Sequence, residues 1–127
     1  MQEKQLFEYG VIRLVPRVDR EEFLNVGVIL YCAKQQFLNT LFHLDPDRVD
    51  SFFPELEIEL VRKHLKTFQL ISHGDPAAGP IAKLPIAERF RWLTATRSTI
   101  IQTSKVHPGF CSDANETLHK LHRQLVL

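Results

Sequence analysis

Asn25-Val26-Gly27-Val28-Ile29-Leu30-Tyr31-Cys32 is the stretch that decides the fold. It is apolar at successive positions, β-branched in its middle, and too short to be a buried helix. This pattern predicts a strand covered on both faces and paired on both edges. Gly27 inside it predicts a bulge or a close approach by another backbone. Asn25 is an amide entering an apolar strand, and such an amide holds a turn or the backbone of a neighbour.

Upstream, Leu6 to Val15 alternates as a strand, with Phe7, Tyr9, Val11, Arg13 and Val15 on one face and Leu6, Glu8, Gly10, Ile12 and Leu14 on the other. Pro16 ends it, having no N–H to donate. The charged segment Arg17 to Glu22 predicts a loop. Downstream, Ala33 to Gln36 is a turn and Phe37 to Leu44 a third strand. The short connections make these three an antiparallel meander.

Helices follow. Asp45-Pro46 supplies an N-cap and a first-turn proline. From Glu55 to Ser72, the residues Ile58, Val61, Leu65, Phe68 and Ser72 recur at helical spacing. His73 to Pro80 is a loop. Pro85 opens a further helix with Ile86, Phe90 and Leu93 on one face. Thr99 to Ser104 predicts a fourth strand, and Lys105 to Ser112, with its Pro108-Gly109, a loop. Asp113 and Glu116 have capping-box spacing, and Ala114, Leu118, Leu121 and Leu125 form the stripe of a last helix over 113–127. The order predicts an α+β fold: a mainly antiparallel sheet of four or more strands, meander first, with the two long helices packed on one face.

The chain has 127 residues, 44% hydrophobic and 24% charged, which fits a single domain over 1–127. A formal net charge of +1 provides no global field toward nucleic acid or membrane. The N-terminus is polar, with no signal-peptide pattern, and Val26 to Ala33 is too short to span a bilayer. A cytoplasmic protein is the expectation. The two cysteines, Cys32 and Cys111, fit no metal or redox spacing and are expected as reduced, buried thiols.

Chemistry concentrates between Arg89 and Gly109. From Glu88 to Lys105, the cations Arg89, Arg91, Arg97 and Lys105 face Glu88 alone, with Phe90 and Trp92 among them. Guanidinium forks match phosphate oxygens, and aromatic faces offer stacking. In a phosphorylated-ligand site, for a nucleotide or nucleic acid, Arg91, Arg97 and Lys105 would hold phosphate and Trp92 would stack. Gln102 and His107 would orient the reacting group. The competing reading pairs these arginines with Asp19, Glu21 and Glu22. Ser98, Ser104 or Cys111 beside His107 could form a nucleophilic pair, but no elbow or catalytic-cysteine signature accompanies them. A serine at a strand end more often bonds to backbone. Of the six histidines only His119 and His122 have helical ligand spacing, and no further metal-binding pattern supports them. The expectation is no metal and no cofactor, with His122 flanking the leucine stripe and His119 facing solvent.

Two blocks resemble one family. The first runs from Tyr9 to Tyr31, with Val-Ile-Arg-Leu-Val-Pro-Arg and Glu-Glu-Phe-Leu-Asn-Val-Gly-Val-Ile-Leu. The second is Arg-Phe-Arg-Trp-Leu-Thr-Ala-Thr-Arg-Ser-Thr-Ile-Ile-Gln from Arg89 to Gln102, continuing to Ser104, His107 and Gly109. In order, they resemble domain-of-unknown-function family 3037, small bacterial proteins. The resemblance implies a stand-alone cytoplasmic bacterial protein and carries no reaction, cofactor or functional residue. Members are often encoded beside a small kinase resembling the persistence-toxin kinases, which suggests a partner or regulator acting by protein–protein contact.

Overall fold

The computed structural model describes residues 3–16, 22–95 and 99–127. Its elements are β1 (Gln5–Leu14), β2 (Leu24–Cys32), β3 (Phe37–Phe42), α1 (Pro46–Phe52), α2 (Ile58–His73), α3 (Ile86–Leu93), β4 (Ile101–Thr103), β5 (His107–Cys111) and α4 (Ala114–Leu125). Two short 3₁₀ turns, Pro76–Ala78 and Pro80–Lys83, join α2 to α3. The fold is α+β, with all strand pairs antiparallel and the first three strands a meander. No helix among the described residues is long and apolar enough to cross a membrane.

β2 lies between β1 and β3, as its apolar run requires. Its register slips where Ile12 pairs with Gly27 but Arg13 pairs with Asn25, so Val26 is the extra residue of a bulge. The bulge changes which parity of β2 faces which side. Leu24, Val26, Ile29 and Tyr31 join one core with Val61 and Leu65 of α2 and Phe90 and Leu93 of α3. Val28, Leu30 and Cys32 join a second core with Ala114 and Leu118 of α4. The expectation of helices on one face is therefore corrected. A strand apolar on both faces needs cover on both, and α4 supplies the second layer.

Gly27 fits both of its predicted roles. A Cβ there would stand 2.7 Å from the Leu41 carbonyl oxygen and 3.1 Å from Cβ of Phe42, on the neighbouring strand. The caps follow the sequence. The Asp45 carboxylate accepts from the Asp47 and Arg48 amides, and that of Asp113 accepts from the Glu116 amide at 3.0 Å. Asn25 donates its amide to the Leu125 carbonyl at 3.2 Å, tying β2 to the last turn of α4.

The segment expected as a loop after Lys105 contains a fifth strand. β4 pairs with the end of β1, at Ile12 to Leu14, and β5 pairs with its beginning, at Gln5 to Tyr9. Both lie along the same edge of β1. Where they meet, Ser104 serves Val11 twice: its amide donates to the Val11 carbonyl at 2.8 Å, and its hydroxyl accepts from the Val11 amide at 2.9 Å. The odd residues of β1 thus bond toward this edge. By alternation Pro108, opposite Glu8, turns its nitrogen away from β1, where no N–H is needed. Gly109 lies over Phe7, whose ring would be 2.5 Å from an added Cβ.

Two substitutions test this frame in urea unfolding. Ser104→Ala orphans the buried Val11 amide and is expected to cost about 1–3 kcal/mol; an unchanged midpoint would mean that the hydroxyl does not complete the ladder. Gly27→Ala is expected to cost about 1–3 kcal/mol through overpacking against β3, and a stability equal to wild type would deny the close approach.

Candidate functional site

α3 is pinned to the sheet by adjacent residues. Phe90 is fully buried with its ring 5.2 Å from that of Tyr31. Arg91 forms a two-pronged pair with Glu8, Nη1 to Oε1 at 3.2 Å and Nη2 to Oε2 at 3.0 Å. Glu8 and Tyr31 are direct cross-strand partners, so the two contacts fall on one spot of β1 and β2. The acid that holds Arg91 is thus Glu8; of the acids in the competing reading, Asp19 and Glu21 lie outside the described residues. The Arg91 side chain remains 59% exposed, so the pair adds under about 1 kcal/mol and acts chiefly in orientation. Arg89 is spent differently, donating from Nη1 to the Leu84 carbonyl at 2.8 Å.

Trp92, one step further round α3, borders a cleft of about 240 Å³ between α2, the end of α3 and β4. α2 contributes His64, Thr67, Phe68 and Ile71, a single helical stripe. The opposite wall comes from 99–103, Gln102 included. Trp92 is 39% exposed at this cleft. Its described walls are mainly aromatic and aliphatic, and they carry no lysine or arginine.

Of the residues singled out from sequence, the fold therefore brings Trp92 to the cleft. Gln102 borders it only through its place in β4: as the partner of Arg13, next to Ile101 of the first core, it turns its side chain to the other face of the sheet. Arg91 is turned to Glu8. Lys105 is exposed in the β4–β5 connection and enters no ion pair among the described residues. His107 is exposed on β5 opposite Tyr9, their rings 5.4 Å apart, on the α4 side of the sheet. Arg97 and Ser98 lie outside the described residues.

Of the groups considered as nucleophiles, Ser104 and Cys111 are committed elsewhere. Ser104 is 6% exposed, with its hydroxyl bonded to the Val11 amide and the Lys105 carbonyl. Cys111 is a free, buried thiol beside Cys32, and burial pushes its pKa up, away from the reactive thiolate. No group of three histidine, cysteine or acidic residues among the described residues could hold a metal. Phe68, His64 and Thr67, which complete the cleft, escaped sequence reasoning because a helix stripe reads first as core. Their spacing was visible, but not the gap between α2 and β4.

His119 faces solvent, with Nδ1 2.9 Å from the Asn115 carbonyl, whereas His122 is buried and its Nδ1 has no hydrogen bond. Burial, and then the neighbouring His43 and His119, hold the His122 imidazole below its ordinary value of 6.5. The unfolded chain therefore takes up this proton first. The His122 contribution is full above pH 6.5 and is lost as pH falls from there through the lower folded value. Urea unfolding from about pH 7 to pH 5 is expected to show wild type losing stability, by at most about 1.4 kcal/mol per pH unit from this group. His122→Leu is expected to lose less over the same range; parallel curves would remove His122 as the cause.

The structure thus defines an α+β protein with a two-sided core and an apolar cleft beside its fourth strand. The family described as "Protein of unknown function (DUF3037)" matches residues 9–126, and the chain belongs to it. No curated protein and no solved structure matches the chain.

Proposed function

We propose that this chain is a non-enzymatic partner or regulatory protein that works by protein–protein contact, with the α2–α3–β4 cleft as its contact site. The observation that carries this is the cleft itself: a small, mostly apolar recess with Trp92 exposed at it. Half-exposed tryptophans beside apolar recesses are typical anchors of protein interfaces. A volume of about 240 Å³ suits one or two apolar side chains of a partner rather than a nucleotide. The hydroxyl and thiol nearest His107 in sequence are bound into the fold, which favours contact over catalysis. A phosphorylated ligand is less well supported, because Arg91 is engaged by Glu8 and neither Lys105 nor His107 lines the cleft. The small kinase of persistence-toxin type suggested by the family resemblance is the first partner to test.

Affinity capture of the tagged chain from its native host is expected to recover one stoichiometric protein, the neighbouring kinase being the leading identity. Trp92→Ala is expected to weaken that capture by about tenfold or more, the order of a hot-spot truncation, while the variant still unfolds cooperatively above the temperature of the assay. Recovery of no stoichiometric protein, together with a melting temperature raised by nucleotides, would replace this reading with the phosphorylated-ligand one.

A further inference from the structure

Arg13 is a cation built into the sheet without an acid partner among the described residues. β1 places it on the α4 side, directly opposite Asn25 of β2 and Gln102 of β4. Those two positions are where a carboxylate would make a cross-strand ion pair. Both carry neutral amides, and both amides are engaged by backbone: Asn25 donates to the Leu125 carbonyl and Gln102 to the Thr99 carbonyl at 2.8 Å. No described carboxylate pairs with Arg13.

What holds Arg13 instead is a ring. Its guanidinium carbon lies 4.1 Å from the centroid of Phe23, which is itself 50% exposed. The Nε atom is buried with no hydrogen bond, and so is Oδ1 of Asn25. Nη1 and Nη2 are not among the buried atoms left without a partner, and no acceptor for them lies among the described residues. A stacked, half-buried guanidinium keeps its plane and its charge, and presents two parallel donors at its outer edge. That fork matches the two oxygens of a carboxylate or phosphoryl group. Partial burial strengthens such a pair relative to one in open water.

We propose that Arg13, braced by Phe23, is an oxyanion-binding site that takes a carboxylate or a phosphoryl group. It lies on the face of the sheet opposite to α2 and α3, so it does not rest on the reading of the cleft. The competing role is purely structural, in which the guanidinium answers the carbonyl-rich end of α4 beside Asn25.

The test follows the arginine Nε–H resonances of the ¹⁵N-labelled full chain during titration with sodium phosphate and, separately, sodium acetate, at ionic strength held constant with chloride. Arg13→Lys assigns the resonance by its loss. Phe23→Leu assigns it by removal of the ring current if the lysine variant does not fold. The Arg13 resonance is expected to move saturably, at concentrations about tenfold or more below any response of the exposed Arg123. Phe23→Leu is expected to weaken that titration severalfold. Saturation by phosphate first identifies a phosphoryl site, and by acetate first a carboxylate site. A linear, non-saturating response to both anions, equal to that of Arg123, overturns the proposal and leaves the structural role.

Discussion

The bond pair between Ser104 and Val11 is the constraint on which the rest of the sheet depends. β1 is ten residues long, and no single partner runs along its outer edge. Two short strands divide that edge, and a seam between them would expose the Val11 amide and carbonyl in the middle of a buried strand. Ser104 closes the seam with one side-chain and one backbone bond, and so lets the chain leave the ladder and return to it. A serine suits this place because its hydroxyl can accept from an amide while its own amide donates, which alanine cannot do.

From that seam the placement of both helical layers follows. β4 lies on the α2 and α3 side through Ile101, which packs on the first core; β5 delivers Cys111 to the second core and hands the chain to α4. The bulge at Val26 then lets one strand serve both cores. Before it, even-numbered residues face α2; after it, odd-numbered ones do. A regular β2 would have put Leu24 and Val26 against one layer and Ile29 and Tyr31 against the other, splitting the larger core.

Much of this was legible in the sequence, for local reasons. The apolar run of β2, the alternation of β1, the Asp45 and Asp113 caps and the close approach at Gly27 are all written in adjacent residues. β5 was not legible, because His107-Pro108-Gly109-Phe110-Cys111 has the composition of a turn. It is a strand only because its proline nitrogen faces outward and its glycine lets Phe7 lie beneath it. The second helical layer was missed for a related reason: the consequence of a bulge for facing is a property of the whole sheet. The cluster between Arg89 and Gly109 was legible as unusual, yet its members disperse. Helical rotation sends Phe90 to Tyr31, Arg91 to Glu8 and Trp92 to the cleft, although the three are consecutive.

Arg13 shows the opposite relation between sequence and space. In the sequence it is a lone cation between apolar neighbours, with Glu8 before it and Asp19 after it as the nearest acids. The register settles its described neighbours as amides on both sides and an aromatic ring above the charge. A buried or half-buried cation without an acid is costly when solvent cannot reach it. Here the Phe23 ring offsets part of the cost by stacking on the guanidinium. The sheet thus has two unlike faces near the same end of β1: α2 and α3 build an apolar recess on one, and on the other, among the described residues, the charge of Arg13 stands between the amides of Asn25 and Gln102. The two faces therefore differ in chemistry across a single strand, hydrocarbon on one and a stacked guanidinium on the other.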